Sequence, residues 1–401
     1  MPSCVIIVEN LPVPFDRRVW QEARALSDAG WDVTVICPRS EQYSRSREMI
    51  DGIDIWRHNL PLEAEGRWAF LIEYGAALYH QSRLLFALWR SKGFDVVQAC
   101  NPPDLIFLVA APYKLLGKRF VFDHHDVCPE LFEAKFERRG IFHRLLRFAE
   151  RRTFAAADLV ISANETYRRL AIERGGKRPE DVISVYSVPD RNRIRRVAPD
   201  PALRGDAAVV LGYVGIIADQ DGVDHLVRMV RHLATDHGHG DVRAVVVGDG
   251  PALASVRALA RDLGVADRIT FTGYLKGDAL LAALSSFDVG IIPDPVNPYN
   301  DKISMNKVFE YSALGIPSVA YSLSETRRLL GEAGAYADVP TPAGLARACL
   351  PLLRDDALRR TKGREAQALA DRVFSWEREA AKFTAAYERL APARAEVHRH
   401  A

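Results

Sequence analysis

Short runs of Val and Ile alternate along the chain with longer stretches in which apolar residues recur every three or four positions. The runs are typical of buried strands and the stretches of amphipathic helices, so we predict βα units around mostly parallel sheets. A helix predicted at 18–29 carries Val19, Ala23 and Leu26 on one face and ends before Gly30. The predicted strands are 4–8, 33–37, 53–57, 95–100, 119–123, 159–162, 182–186, 208–214, 242–247, 269–271, 288–292 and 317–321.

A polar segment rich in proline and arginine interrupts this rhythm before residue 207. The rhythm then starts again, and 401 residues are too many for one ordinary core. We therefore predict an α/β protein with two doubly wound, Rossmann-like domains, at 1–190 and 207–375, joined by a linker at 191–206. The segment 376–390 has the periodicity of an amphipathic helix, and we expect its buried residues to be Ala381, Phe383, Tyr387 and Leu390.

Composition narrows the class of protein. Hydrophobic residues make up 48% of the chain and charged residues 26%, as in folded globular proteins, and the formal charge of +2 gives no overall field for nucleic acid. The five cysteines are scattered and lack a C-x-x-C pair, which argues against a disulfide framework and a zinc site. Without a signal peptide or an apolar run of about 18 residues, a cytoplasmic location is expected.

The segment 301–317 carries the strongest chemical signal. Ser304 is a plausible N-cap, and Gly315 with the following Ile-Pro would end a short helix. Lys302 and Lys307 flank the start of this helix, where N–H groups and the helix dipole favour phosphate, and Glu310 could accept the hydroxyls of a ribose. The alternative is an ordinary Lys–Glu surface pair three residues apart.

Two glycine turns follow predicted strands. Gly215 opens one, and Gly248 and Gly250 lie in the other, where backbone can approach a phosphate closely. Such turns are also needed merely to connect a strand to a helix. Near the start of the chain, Asp16 and Arg17 immediately precede the helix predicted at 18–29, and arginine at a helix start opposes the dipole unless an anion is bound. The alternative makes Asp16 an N-cap beside solvated arginines.

The sequence Asp123-His-His-Asp126 follows a strand, yet adjacent residues at a strand end cannot all converge on one metal ion. We expect one histidine to face a ligand cleft and the other to be buried. No metal ion is predicted.

Residues 131–154 interleave aromatic and aliphatic residues with seven basic ones. This pattern suits a surface that rests on anionic lipid headgroups, or equally a pair of packed helices with solvated arginines.

Several of these segments together resemble a known family. The turn at 247–251, the strand Ile269-Thr-Phe-Thr-Gly273, the run from Ser304 to Glu310 with its Gly-Ile-Pro exit, and Ser375-Trp376 look like the retaining glycosyltransferases of family 4, which have the GT-B fold. The opening Asp16-Arg-Arg-Val-Trp resembles members that build bacterial surface polysaccharides, as exopolysaccharide, capsule or O-antigen.

The resemblance implies different binding roles for the two domains. The second domain would hold a nucleotide-sugar donor and the first a glycan or lipid-linked acceptor, across a central cleft, with a C-terminal helix at 376–395 crossing back to the first domain. Glu310 matches the second Glu of the family's E-x7-E motif, which binds the ribose. His125 matches the histidine that faces the donor sugar.

The implied site is as follows. We expect the catalytic residues to be His125, Lys307 and Glu310; the donor-binding residues to be Gly215, Gly248, Gly250, Tyr274, Lys302, Ser304, Asn306, Lys307 and Glu310; and the residues on the phosphate or acceptor side to be Asp16, Arg17 and Asp126. No cofactor is expected beyond the nucleotide-sugar as co-substrate.

Two features depart from the family pattern. Lys302 stands where the motif has its first Glu, and residues 218–221 replace the usual Arg/Lys pair. We therefore expect Lys307, with Lys302 and Arg17, to neutralise the diphosphate as free cations. Two alternatives stay open: a sugar-nucleotide 2-epimerase, or a non-catalytic GT-B subunit that recruits a partner.

Overall fold

The computed structural model describes residues 1–59, 67–136, 139–190 and 193–391. Its contacts divide the chain into two compact units. Unit 1 comprises Met1–Ser187 and Glu377–Ala401, and unit 2 comprises Val188–Trp376. Each is a Rossmann-like α/β unit built on a mainly parallel sheet, as predicted.

Unit 1 contains an eight-stranded sheet in the order β3-β4-β2-β1-β5-β6-β7-β8, in which only the β3–β4 pair is antiparallel. Its strands are β1 Ser3–Ile7, β2 Asp32–Pro38, β3 Arg47–Ile50, β4 Ile53–His58, β5 Val96–Cys100, β6 Arg119–His124, β7 Leu159–Ser162 and β8 Val182–Ser184. Its helices are α1 Arg17–Asp28, α2 Arg67–Ser91, α3 Phe107–Leu115, α4 Cys128–Phe136, α5 Ile141–Ala156 and α6 Glu165–Glu173.

Unit 2 contains a parallel six-stranded sheet in the order β11-β10-β9-β12-β13-β14. Its strands are β9 Val209–Val214, β10 Val242–Val247, β11 Ile269–Gly273, β12 Val289–Ile292, β13 Ser318–Ala320 and β14 Gly334–Tyr336. Its helices are α7 Pro201–Arg204, α8 Val223–Thr235, α9 Leu253–Asp262, α10 Gly277–Ser285, α11 Asn306–Ala313, α12 Ser324–Leu330, α13 Pro342–Arg354 and α14 Asp356–Arg372. The final helix, α15, spans Trp376–Glu388.

The strand order reverses at the first strand of each sheet. In unit 1, β1 lies between β2 and β5, and in unit 2, β9 lies between β10 and β12. Ligands of doubly wound sheets bind outside the carboxyl ends of the strands at this switch point. The loops that follow β1, β5, β9 and β12 are therefore where each unit can hold a ligand.

The last helix packs on unit 1. The backbone N–H of Tyr186 donates to Glu379 Oε2 at 2.9 Å, and Lys382 Nζ donates to the carbonyl of Ser184 at 3.0 Å. Phe383 and Tyr387 are fully buried, as their spacing predicted. Of the other two residues expected to be buried, Leu390 is half-buried and Ala381 is exposed. Residues 392–395 of the predicted helix lie outside the described residues.

The segment predicted as a linker belongs by its contacts to unit 2. Arg196 Nε donates to the carbonyl of Leu314 at 2.7 Å, and the N–H of Val197 donates to Ser285 Oγ at 3.0 Å. Residues 191 and 192 of that segment lie outside the described part of the chain. None of the helices described here is long and apolar enough to cross a membrane.

Candidate functional site

The turns after β9 and β10 in unit 2 interlock through their backbones. The N–H of Gly215 donates to the carbonyl of Val247 at 3.1 Å, and the N–H of Ile217 donates to that of Asp249 at 3.0 Å. A Cβ added to Gly248 would lie 1.8 Å from the Gly215 carbonyl oxygen, and one on Gly250 would lie 2.4 Å from that of Ile217. Close approach of two backbones therefore requires glycine at 248 and 250, and it fixes both turns at the carboxyl end of the sheet.

Lys307 is not the free cation that we expected. Its ammonium donates to both carboxylate oxygens of Asp294, at 2.9 and 2.7 Å, and it lies 5.1 Å from the centre of the Tyr213 ring. Both partners of this ion pair are buried. Asp294 follows β12, so the pair joins the start of α11 to the loop at the switch point, a contact that sequence spacing does not reveal.

Asp221 lies in the turn after β9 and responds to the same pair. Burial raises its pKa to about 6, with the nearby Lys307 charge opposing the shift and Asp294 adding to it. Its Oδ2 accepts from the N–H of Ala218 at 3.2 Å. The site thus contains the buried carboxylate of Asp294, the half-buried carboxylate of Asp221 and the buried ammonium of Lys307, so these three groups together are not cationic.

The start of α11 also differs from the prediction. The helix begins at Asn306 with Met305 in the N-cap position, so the prediction that Ser304 caps it is wrong. Ser304 Oγ instead donates to Glu325 Oε1 at 2.7 Å, which ties this loop to α12. Lys302 Nζ donates to the carbonyl of Pro298 at 2.6 Å.

The remaining predicted donor residues are accessible to different degrees. Asn306 is exposed as the first residue of α11, and Glu310, one turn later, is half-buried. Tyr274, directly after β11, is 61% exposed. All three lie in unit 2.

The prediction of no metal overlooked one aspartate pair at D-x-D spacing, Asp219 and Asp221. In the described part of unit 2 these carboxylates do not meet a third ligand-type side chain at coordinating distance.

In unit 1, the start of α1 shows the surroundings of Arg17 and Arg18, which could have been solvated. Asp16 is the N-cap, and its side chain accepts from the N–H of Val19 at 3.0 Å. Arg17 is half-buried, but Arg18 is only 9% exposed and so is not solvated as the alternative supposed. Arg18 Nη1 donates to the carbonyl of Val185 at 2.6 Å, and Nη2 donates to Asp123 Oδ1 at 2.8 Å.

The two adjacent histidines at the end of β6 have different surroundings. His124 is fully buried against the rings of Phe122, Phe154 and Tyr167, and burial lowers its pKa to about 3. The His125 side chain is 16% exposed, and its backbone N–H donates to Asn101 Oδ1 at 2.7 Å. His125 is the one of the two that a ligand could reach.

Asn101, which follows β5, organises this strand end. Its Oδ1 also accepts from the N–H of Asp126 at 3.2 Å, and its Nδ2 donates to the carbonyl of Asp126 and to Asp104 Oδ1, both at 2.7 Å. Asn101 therefore fixes the backbone that carries both His125 and Asp126. It is absent from the predicted site because a single Asn before two prolines gave no chemical signal.

Three ligand-type atoms, from Cys100, Asp123 and His125, lie within 4.8 Å of one another. Two facts argue against a metal ion held by them. Burial raises the pKa of the Cys100 thiol well above its usual range, which disfavours the thiolate that a metal needs. The Arg18 guanidinium already contacts both Asp123 and His125.

Helix α5 exposes an apolar stripe. Ile141, Leu145 and Phe148, spaced by four and three residues, are 62%, 55% and 61% exposed. Four exposed arginines accompany them on the same helix: Arg144, Arg147, Arg151 and Arg152. Of the predicted 131–154 surface, residues 137 and 138 and the side chain of Lys135 lie outside the described residues.

Two family models match consecutive parts of the chain. One, described as a glycosyl transferase 4-like domain, matches residues 16–186, and the other, glycosyl transferases group 1, matches residues 208–355. These matches fall in unit 1 and unit 2, respectively. Each unit is therefore similar to one of the two domains of a glycosyltransferase.

Solved structures identify the architecture. The structure is similar to sucrose-phosphate synthase from Thermosynechococcus elongatus, with a TM-score of 0.78 at 18% identity, over 97% of this chain and 99% of that one. It is also similar to Anabaena HepE in complex with UDP and glucose, with a TM-score of 0.72 at 16% identity, over 97% of this chain and all of the other. The chain has the GT-B fold. At these identities the likeness concerns the fold alone.

Among curated proteins, 2-deoxystreptamine glucosyltransferase from Streptomyces kanamyceticus is 29% identical over 238 residues, which is 57% of this chain and 60% of that protein. The match thus spans about three fifths of the length of this relative.

Proposed function

We propose that this GT-B protein is a retaining glycosyltransferase that moves a sugar from a nucleotide-sugar donor to a glycan or lipid-linked acceptor. The observation that carries the proposal is the pair of consecutive glycosyltransferase matches, one in each unit, on a fold shared over nearly the whole chain. The HepE structure, which contains UDP and glucose, supports a sugar nucleotide as the donor class.

Unit 2 would bind the donor. The turns that contain Gly215 and Gly248 are fixed against each other near the switch point, where phosphates of nucleotides bind in such sheets. Glu310 would accept the ribose hydroxyls. Lys302 and Lys307 would face the diphosphate, with Lys307 held in position by Asp294.

Unit 1 would contribute His125, with Asp16, Arg17 and Asp126 on the acceptor side. A nucleoside diphosphate is a good leaving group once its charge is stabilised, so the reaction needs positioning and electrostatics rather than a pair of acid and base carboxylates. The departing phosphate oxygen would take the acceptor proton on the same face of the sugar, and the anomeric configuration would be kept. The proposal includes no metal ion.

A second candidate is a non-catalytic subunit that keeps the fold and recruits a partner. One observation favours it: the Lys307 ammonium is already paired with Asp294, and the turn at 218–221 offers carboxylates where cations were expected. A protein that no longer binds a diphosphate could carry these changes. The two candidates differ in whether any donor is consumed.

Product formation separates them. We would incubate the protein with UDP-, GDP- and TDP-sugars and a set of acceptors, including an aminocyclitol, an inositol phosphate and a lipid-linked sugar. The transferase proposal predicts one pairing that releases nucleoside diphosphate and adds one sugar mass to the acceptor, with the donor's anomeric configuration retained. No sugar transfer and no donor consumption in any pairing would contradict it and favour the recruiting subunit.

We further propose that the protein works at the inner face of a plasma membrane, in the assembly of a bacterial surface polysaccharide. The exposed stripe Ile141, Leu145 and Phe148 with its flanking arginines supports contact with anionic headgroups. Flotation with phosphatidylglycerol vesicles should recover the protein at low salt and lose it at high salt. The variant L145E should float less, while M49E, at an exposed position on β3, should float normally; equal flotation of both would contradict the proposal.

A further inference from the structure

The imidazole of His125 has two neighbours with opposite requirements. Its Nε2 lies 2.8 Å from Asp123 Oδ2 and 3.0 Å from Arg18 Nε. The carboxylate oxygen can only accept a proton from Nε2, whereas the guanidinium can only donate one to it. Nε2 cannot donate to Asp123 and accept from Arg18 at the same time. The stronger of these two contacts therefore determines which nitrogen of His125 carries the proton.

The contact with the Asp123 carboxylate determines the position of the proton. Without a proton, the Nε2 lone pair would face a carboxylate lone pair across 2.8 Å, which is repulsive. Arg18 Nε, in contrast, keeps an ionic contact with Glu22 Oε1, 3.2 Å away, when it does not donate to His125. Nε2 therefore carries the proton and donates a hydrogen bond to Asp123, and Nδ1 is the nitrogen left to accept a hydrogen bond.

The Asp123 carboxylate is fixed from several sides. Arg18 Nη2 donates to its Oδ1 at 2.8 Å, and Gln98 Nε2 donates to its Oδ2 at 3.1 Å. The side chain is fully buried. Burial alone would raise the pKa of Asp123, but the charge of Arg18 and the contact with His125 outweigh it and hold that pKa well below its usual range. Asp123 is therefore ionised while it accepts from His125.

The Gln98 amide is oriented by two carboxyl groups and also contacts the last helix of the chain. The Tyr387 hydroxyl in α15 donates to Gln98 Oε1, and Gln98 Nε2 then points to Glu22 Oε2 at 2.6 Å as well as to Asp123. Tyr387 is fully buried. An amide rotated by 180° would place its oxygen against two carboxyl groups and leave the tyrosine hydroxyl facing an N–H.

We propose that Asp123 is a positioning residue for His125: it holds the Nε2 proton and so presents Nδ1 to the donor sugar, while Arg18 and Gln98 hold Asp123 in place. In the neutral imidazole Nδ1 then accepts a hydrogen bond from a sugar hydroxyl. The role toward the sugar rests on the proposed function, whereas the arrangement of protons does not.

The protonation of the ring can be measured on the unmodified protein. Two-bond ¹⁵N–¹H NMR spectra near neutral pH report which histidine nitrogen carries the proton, and the spectrum of His125→Gln assigns the signals of His125 by their loss. We expect a protonated Nε2 and an unprotonated Nδ1. The reverse tautomer in the wild-type protein would overturn the proposal.

A substitution tests the consequence for the reaction. In Asp123→Asn the amide oxygen would stay with Arg18, so that the NH2 group faces Nε2 and the ring switches to the Nδ1-protonated tautomer. We expect kcat for sugar transfer to fall about 100-fold, as for a reacting group that is misplaced, with little change in the donor KM. A variant with the switched tautomer and unchanged kcat would contradict the proposal.

Asp54→Asn is the matched control, because Asp54 is also buried and also bound by an arginine, Arg47, through both oxygens at 2.9 Å. It should change neither the His125 tautomer nor kcat. If Asp123→Asn does not fold, the wild-type spectrum still decides the proposal. The predicted tautomer in a protein that transfers no sugar would refute the proposed function and leave the arrangement of protons in place.

Discussion

The contact between the Gly215 and Gly248 turns leads to a quantitative prediction. In Gly248→Ala the new Cβ would lie 1.8 Å from the Gly215 carbonyl oxygen, so the two turns must separate by more than 1 Å to reach an ordinary contact. Separation would break the Gly215 N–H bond to Val247 and the Gly248 N–H bond to Gly273, at 3.1 and 3.0 Å. At about 1 kcal/mol for each bond, with about 1–3 kcal/mol for the unfavourable φ of +143°, the free energy of unfolding should fall by about 3–5 kcal/mol.

Gly264→Ala provides the control. Gly264 also has a positive φ, of +67°, but a Cβ there would meet nothing within 4 Å. Only the backbone cost of about 1–2 kcal/mol should appear. Urea unfolding followed by circular dichroism compares the two variants, and donor titration should show weaker binding for Gly248→Ala alone. Equal destabilisation by both substitutions would refute the argument from backbone contact.

Two further predictions concern buried ionisable groups. Asp294→Asn should lower the free energy of unfolding by about 3–5 kcal/mol, because it removes the carboxylate that pairs directly with the buried Lys307 charge. The double variant with Lys307→Met should recover more than half of this loss in urea unfolding, and no recovery would contradict the pairing. Burial lowers the pKa of His124 to about 3, below the 6.5 of an ordinary histidine. Between these two pH values the folded state binds fewer protons than the unfolded state. The free energy of unfolding should therefore fall as pH falls from 6.5 towards 3, by up to about 4 kcal/mol. His124→Phe should flatten this part of the pH profile, and an unchanged profile would show that other groups cause it.

The fold could be predicted from the sequence because buried parallel strands appear as continuous Val- and Ile-rich runs. Two strands escaped prediction. β3, Arg47–Ile50, has largely exposed side chains and lies at the edge of its sheet, and β14, Gly334–Tyr336, has three residues. Neither gives the apolar run or the regular alternation on which the prediction depends.

The candidate site was predictable only in part. Arg18 and Glu22 lie four residues apart on the buried face of α1, and that spacing could have indicated that Arg18 is buried rather than solvated. Asp294 and Lys307 are 13 residues apart, and their pairing depends on how the loop after β12 folds towards α11. Local periodicity carries no information about such a contact.

The central claim is that unit 2 binds a nucleotide-sugar. The measurement that tests it most directly is calorimetric titration of UDP-, GDP- and TDP-sugars into the wild-type protein and into Glu310→Ala, with Glu332→Ala, at an exposed residue of unit 2, as the control. We expect that one donor binds with micromolar affinity, that Glu310→Ala loses at least tenfold in affinity, and that Glu332→Ala binds as the wild type does. Absence of binding by every donor, or equal binding by all three proteins, would contradict it.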